Sequence, residues 1–194
     1  MSLAEEIIIV SGLPRSGTSL MMQMLDRAGL PILTDQLRQA DTDNPRGYYE
    51  FEAVKQTKQH PGWVSGARGK VVKMISALLY DLPATERYRV LFMRRDLQET
   101  IDSQEKMLTR LGQPIAPREK MQTAYQIHLD RLFRWLATQP HFHVLEVNYN
   151  QLLRTPEKVT AEISAFLDHV PQPARMLAAI DPGLYRNRQG VRTG

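Results

Sequence analysis

The densest chemistry in the chain lies in eight consecutive residues, Gly12-Leu13-Pro14-Arg15-Ser16-Gly17-Thr18-Ser19. Two glycines with the Gly-x-x-x-x-Gly spacing, followed by a Thr-Ser pair, have the form of a loop that cradles phosphate. Glycines let successive backbone N–H groups turn inward around an anion. A helix starting at once adds its own unsatisfied donors and the positive end of its dipole. Thr18 stands where an ATPase or kinase places lysine. The competing reading is an ordinary strand-to-helix turn with Ser and Thr as helix caps. A strand before the octamer and a helix after it favour the anion site.

Other chemistries are narrowed by what the chain contains. With no cysteine, thiol catalysis, disulfide scaffolds, zinc fingers and iron–sulfur ligation are excluded. His141 and His143 stand two apart at a strand entry, but no third ligand accompanies them, so no metal is expected. The net charge is +4, yet Arg186, Arg188 and Arg192 of the last twelve residues supply much of it, leaving 22 basic against 21 acidic residues over 1–182. A nearly neutral body with no basic stripe does not suggest a nucleic-acid partner. No apolar run approaches the roughly 18–20 residues of a membrane span, so no membrane partner is expected. Met1-Ser2-Leu3-Ala4-Glu5-Glu6 lacks a basic lead-in, and Ile7–Val10 is too short for a signal-peptide core. The expectation is a soluble, cytoplasmic protein.

The elements that must position the octamer follow from periodicity. The chain has 194 residues, 42% of them apolar, and reads as a single domain over 1–194 that needs no disulfide or metal staple. The β-branched run at 5–11 suits a strand buried on both faces. Leu20, Met21, Met24, Leu25 and Ala28 then fall at helical spacing up to Gly29, a C-cap. Residues 31–70 are broken by Pro45, Gly47, Pro61, Gly62, Gly66 and Gly69. They read as an irregular excursion with a short helix near 51–60, and a stretch that long is usually functional. Strands are expected at 70–74, 89–93 and 143–147, and helices at 97–111, 118–138, 156–168 and 172–180. Tyr125, Leu129, Leu132 and Phe133 form the core stripe of the longest helix. The order predicts an α/β fold with a mainly parallel central sheet flanked by helices.

Leu13-Pro14-Arg15-Ser16-Gly17-Thr18-Ser19-Leu20 resembles the 5′-phosphosulfate-binding loop of sulfotransferases that use 3′-phosphoadenosine 5′-phosphosulfate (PAPS), in the Pro-Arg-Ser-Gly-Thr form of tyrosylprotein and bacterial carbohydrate-type members. In that family the basic residue sits two places before the second glycine, here Arg15, which relocates the missing lysine. The family's second motif is an Arg at a strand end with a Ser eight residues later, both holding the cofactor's 3′-phosphate. Arg95 and Ser103 have that spacing after Val90-Leu91-Phe92-Met93. An Arg at the carboxyl edge of a parallel sheet faces the ligand crevice, and its fork of donors suits a phosphate dianion. Taken alone, Arg95 could equally pair with Asp96 or Glu99, and Ser103 could be a solvated helix residue. Two matched motifs some 80 residues apart favour the phosphate reading. Asn44-Pro45-Arg46-Gly47-Tyr48-Tyr49-Glu50 and the stretch from Val147 to Leu153 with Thr155-Pro156 and Phe166-Leu167 resemble a bacterial sulfotransferase-like group more weakly. Where the cytosolic members carry Lys-Thr-His, this chain has Lys73-Met74-Ile75, and their Arg-Lys-Gly ending is echoed faintly by Arg188-Gln189-Gly190, for which a disordered basic tail is the competing reading.

The resemblance implies a P-loop three-layer fold and transfer of a sulfuryl group from PAPS to a hydroxyl or amine, with 3′,5′-adenosine bisphosphate as product and no metal. Arg15, Ser16, Gly17, Thr18 and Ser19 would hold the 5′-phosphosulfate, with Arg15 also stabilising the departing phosphate. Arg95 and Ser103 would hold the 3′-phosphate. The implied general base is Glu50, with Glu52 as its neighbour. Glu50 also reads as a helix N-terminal carboxylate acting through the dipole. Lys73 is a further candidate beside the sulfuryl group, or a solvated lysine ending an edge strand. The acceptor would be a small molecule, carbohydrate or peptide, in a pocket lined by the 31–70 excursion with Tyr48, Tyr49 and Trp63. Two other readings stand beside this one: a sulfotransferase-like protein that binds nucleotide without turnover, and an ATP-dependent small-molecule kinase.

Overall fold

A computed structural model describes residues 2–35 and 49–180. Five strands form one sheet: β1 (Ile7–Gly12), β2 (Ile32–Leu33), β3 (Val71–Lys73), β4 (Tyr88–Arg94) and β5 (Phe142–Asn148). Their spatial order is β2-β3-β1-β4-β5, and every pairing is parallel. The apolar run at 7–10 needed two buried faces, and β1 has them as the central strand, buried along its length. Period-2 alternation sends Ile8 and Val10 to one apolar layer and Ile7 and Ile9 to the other.

The first layer is made by α1 (Thr18–Arg27), α4 (Tyr149–Arg154), α5 (Pro156–Phe166) and α6 (Pro173–Leu177). Met21, Met24, Leu152, Ile163 and Met176 close it over the sheet. Helix α3 (Arg118–Leu136) dominates the second layer through Leu129, Leu132 and Leu136, while α2 (Leu97–Arg110) leads into it from β4. Sheet and two helical layers make the three-layer α/β fold expected from the element order. The chain leaves β1 for β2 and β3 on one side and later pairs β4 on the other. The carboxyl ends of β1 and β4 therefore flank a point where the connections diverge, the position at which open α/β sheets take their ligands.

The described parts of the excursion, 31–35 and 49–70, are more regular than their sequence suggests. Ile32–Leu33 pairs with β3, and 3-10 turns form at Glu52–Gln56, Pro61–Trp63 and Ser65–Ala67. Breakers spaced a few residues apart cut the segment into single turns, and each docks by one small apolar residue: Val54, Val64 or Ala67. The helix expected near 51–60 is therefore one 3-10 turn. Helix α4 was not expected: periodicity marks no element between the strand at 143–147 and the helix at 156–168. Asn148 ends the strand by turning its Oδ1 to accept from the Gln151 backbone N–H, 2.9 Å away, as an N-cap. Residues 44–48, and Arg186, Arg188, Gln189, Gly190 and Arg192, lie outside the described residues. Among those described, no helix is long and apolar enough to cross a membrane.

Candidate functional site

Chain geometry at the end of β1 builds a cradle. A Cβ on Gly12 would strike Ser16 Oγ and lie 2.7 Å from the Met93 carbonyl, so only glycine lets the loop return this close to β4. The Ser16 N–H closes the turn on the Leu13 carbonyl at 3.2 Å. Arg15 takes φ +68° and Gly17 φ +102°, both left-handed, which reverses the backbone into α1. Gly17 is itself the cap of α1, and no side chain caps its first donors. The reading of Ser and Thr as ordinary helix caps is therefore not the arrangement found. Ser16 Oγ is buried, with the residue 2% exposed, and has no hydrogen-bond partner among the described residues. A buried hydroxyl with no partner among the described residues, beside a helix start that no side chain caps, is a donor set that suits an oxyanion.

Cationic side chains reach this loop from three strands. Lys73, at the end of β3, donates Nζ–H to Ser19 Oγ at 3.0 Å. The strand is not an edge: β2 covers its outer side and β1 its inner side, and Lys73 points to the α1 layer because it shares a register position with Val10. From the loop, Arg15 donates Nε–H to Ser103 Oγ on α2 at 3.1 Å. Two segments separated by 88 positions in the sequence thus meet through the pair of residues that the motifs singled out.

Arg94 and Arg95 diverge at the end of β4. Arg94 turns to the α3 layer, over the Phe133 ring and 3.3 Å from Glu146. Arg95 turns to the phosphate loop, where its side chain is 7% exposed. It pairs with Glu99 at 3.0 Å, donates to the Arg15 carbonyl at 3.3 Å and lies 4.8 Å above the Tyr149 ring. The ion pair with Glu99, one of the alternatives open for Arg95 in the sequence, is formed. Ser103 is buried and accepts from Arg15 in place of facing solvent.

Glu50 sits at the carboxyl end of β2. Its carbonyl accepts from Thr34 Oγ1 at 2.8 Å and from the Asp35 N–H at 3.3 Å. In the sheet, β3, which ends in Lys73, lies between β2 and β1. Glu50 precedes Phe51, the cap of the 3-10 turn, so the first-turn carboxylate belongs to Glu52. Glu52 is engaged on the surface, 2.7 Å from Lys55. Phe51 meets Trp63 edge to face at 5.5 Å and adds aromatic surface to this end of the excursion.

Tyr149 and Asn150 lie in the Val147–Leu153 stretch of the weaker resemblance, which gave them no role at the site. The Ser76–His128 pair, 2.8 Å between Oγ and Nε2, joins a 3-10 turn after β3 to the middle of α3, and burial pushes the His128 pKa down from its ordinary value. His141 meets the Tyr88 ring edge-on and the Phe142 ring at a tilt, and no cluster of potential metal ligands occurs among the described residues.

No protein-family model matches the chain, and no curated protein matches it. Solved structures do. The sulfotransferase domain from the curacin biosynthetic pathway aligns over 97% of this chain and 80% of its own, at 19% identity and a TM-score of 0.53. The sulfotransferase domain from the Synechococcus PCC 7002 olefin synthase aligns over 97% and 85%, at 18% identity and a TM-score of 0.52. A sugar kinase from Janibacter sp. HTCC2649 aligns over 88% and 97%, at 14% identity and a TM-score of 0.44. At these identities the likeness is one of fold, and the fold this chain shares is that of the bacterial sulfotransferase domains.

Proposed function

We propose that the protein is a sulfotransferase that moves a sulfuryl group from PAPS to a hydroxyl or amine of a small-molecule, carbohydrate or peptide acceptor. The observation that carries this reading is the Arg15–Ser103 contact, which joins a glycine-cornered phosphate loop to the strand-end motif of α2. The cradle fits such a donor on its own terms: Gly12 and Gly17 leave room where a Cβ would collide, and the buried Ser16 hydroxyl lacks a partner among the described residues. A kinase loop would place lysine at position 18, whereas this loop has Thr18, with Arg15 and Lys73 supplying the positive charge.

In this reading the loop N–H groups, Arg15, Ser16, Gly17, Thr18 and Ser19 hold the 5′-phosphosulfate, and Arg95 with Ser103 binds the 3′-phosphate. When bound, the donor supplies the sulfuryl group. Arg15 and the helix start stabilise the charge that gathers on the phosphate as it departs, an electrostatic role needing no metal. Glu50 takes the acceptor's proton on its carboxylate, a contribution of about 10² to 10⁴ in rate. Lys73, between Glu50 and the loop, adds positive charge near the transferred group.

The test is calorimetric titration with 3′,5′-adenosine bisphosphate beside ATP with magnesium, on the wild type and on Arg15→Ala. The expected result is micromolar binding of the bisphosphate, weak binding of ATP, and a loss of at least about tenfold in the variant, the scale of one charge-assisted hydrogen bond. Tight ATP binding with none of the bisphosphate would overturn the reading in favour of a kinase. Bisphosphate binding with no sulfate transferred across an acceptor panel would leave a nucleotide-binding protein of the same fold.

A further inference from the structure

Behind the phosphate loop lies a buried polar cluster of which the proposed reaction uses only Arg95. The Arg95–Glu99 pair is enclosed, with side chains 7% and 6% exposed. Glu99 Oε2 also accepts from Asn150 Nδ2 at 3.1 Å. Asn150 Oδ1 in turn accepts from the Asp96 N–H at 3.2 Å, and the Asp96 carboxylate caps α2 by accepting from the Glu99 N–H at 3.0 Å. On the loop side, Arg95 donates to the Arg15 carbonyl, and its guanidinium stacks on Tyr149, whose ring occupies the space a Cβ on Gly17 would need. The cluster therefore touches the loop at both of its left-handed residues, Arg15 and Gly17, and anchors it to the ends of β4 and β5.

A buried ion pair is by itself weak support for stability, because desolvation of both charges offsets their attraction. This one has a geometric consequence instead. Left-handed φ at a residue with a side chain is strained and persists only where the surroundings over-determine it. Arg15 is such a residue, and the hydrogen bond to its carbonyl comes from a guanidinium fixed by Glu99 and by an aromatic face. An arginine suits this task better than a lysine, since its planar fork can donate and stack at once.

We propose that Arg95, Glu99, Asn150 and Tyr149 form a brace that holds the phosphate loop in its anion-binding shape, with Glu99 and Asn150 as positioning residues. Arg95 then serves the 5′-phosphate through the loop, in addition to the 3′-phosphate role given to it above. The nucleotide arm of the test rests on the proposed function, and a second arm does not.

Glu99→Gln keeps the size of the side chain and removes its charge, while Asn150→Ala, at a less buried position, removes one support of Glu99. In hydrogen exchange, amides of residues 13–19 should exchange about tenfold faster in either variant, while exchange of β1 and α5 and the urea midpoint stay near wild type. In calorimetry, affinities for 5′-AMP and for 3′,5′-adenosine bisphosphate should fall by the same factor, about five- to tenfold, leaving their ratio intact. Unchanged exchange at 13–19 in both variants overturns the brace. So does loss of bisphosphate affinity alone, which would confine the cluster to the 3′-phosphate. If the wild type binds neither nucleotide, the proposed function fails, and loop exchange still decides the brace.

Discussion

The Gly17→Ala substitution puts the loop geometry under a quantitative test. The new Cβ would land on Cδ2 of the Tyr149 ring and 2.8 Å from its Cε2, inside any ordinary carbon–carbon contact. Tyr149 cannot yield freely, because it is buried in the α1 layer and its ring carries the Arg95 guanidinium at 4.8 Å. Two costs combine. The backbone at φ +102° is left-handed, worth about 1–2 kcal/mol against any residue with a Cβ. Overpacking a buried ring costs about 1–3 kcal/mol more. The variant should lose about 2–5 kcal/mol in urea denaturation, with an unchanged slope if the unfolded state is the same. Tyr149→Ala separates the two parts: in its presence the Gly17→Ala increment should shrink to the backbone cost of about 1–2 kcal/mol. An increment of equal size with and without the ring, or a single-variant cost well under about 1 kcal/mol, would refute the steric argument.

Two further outcomes follow from the same coordinates. Glu50→Gln should lower turnover by about 10² to 10⁴ while leaving bisphosphate affinity within about twofold, since Glu50 stands two strands from the loop; equal losses in binding and turnover would assign it to positioning instead. Burial holds His128 below its ordinary pKa of 6.5, so as pH falls the unfolded chain takes up this proton first. The contribution is whole above about pH 6.5 and is lost on acidification through the lowered folded value. His141 acts in the same direction, again through burial. His128→Gln should therefore show a smaller drop in urea midpoint than wild type between about pH 7.5 and about pH 5.5. Parallel drops would remove His128 from the pH response.

Period and punctuation carried most of the fold. A four-residue aliphatic run can only be a strand wanting two covers, and Met21, Met24 and Leu25 can only face a sheet if α1 is a helix, so β1 and α1 were legible. β2 was not, because two residues cannot display a period of two. Neither was the sheet order, which depends on where each crossover lands. Of the two readings open for Lys73, the solvated end of an edge strand fails for that reason, and its contact with Ser19 follows from register with Val10. α4 is only six residues long, too short to display a helical period, and its signal is the cap Asn148 three residues before Gln151.

The site divides along a similar line. A loop is local, so Gly12 to Ser19 could be read from spacing alone, and the Arg95–Glu99 pair was open to inspection as an i,i+4 match. Convergence is not local. Arg15, close by in the loop, could be read as relocating the lysine absent from position 18, but the second cation, Lys73, reaches the start of α1 from the end of β3. One is a fork whose Nε already rests on Ser103, the other a point charge resting on Ser19. A single lysine on the helix's first turn neutralises charge at one place. A fork and a point charge held apart by the loop suit two adjoining anionic groups, one departing and one in transfer, and that division of charge is the physical argument for a phosphosulfate over a simple phosphate at this loop.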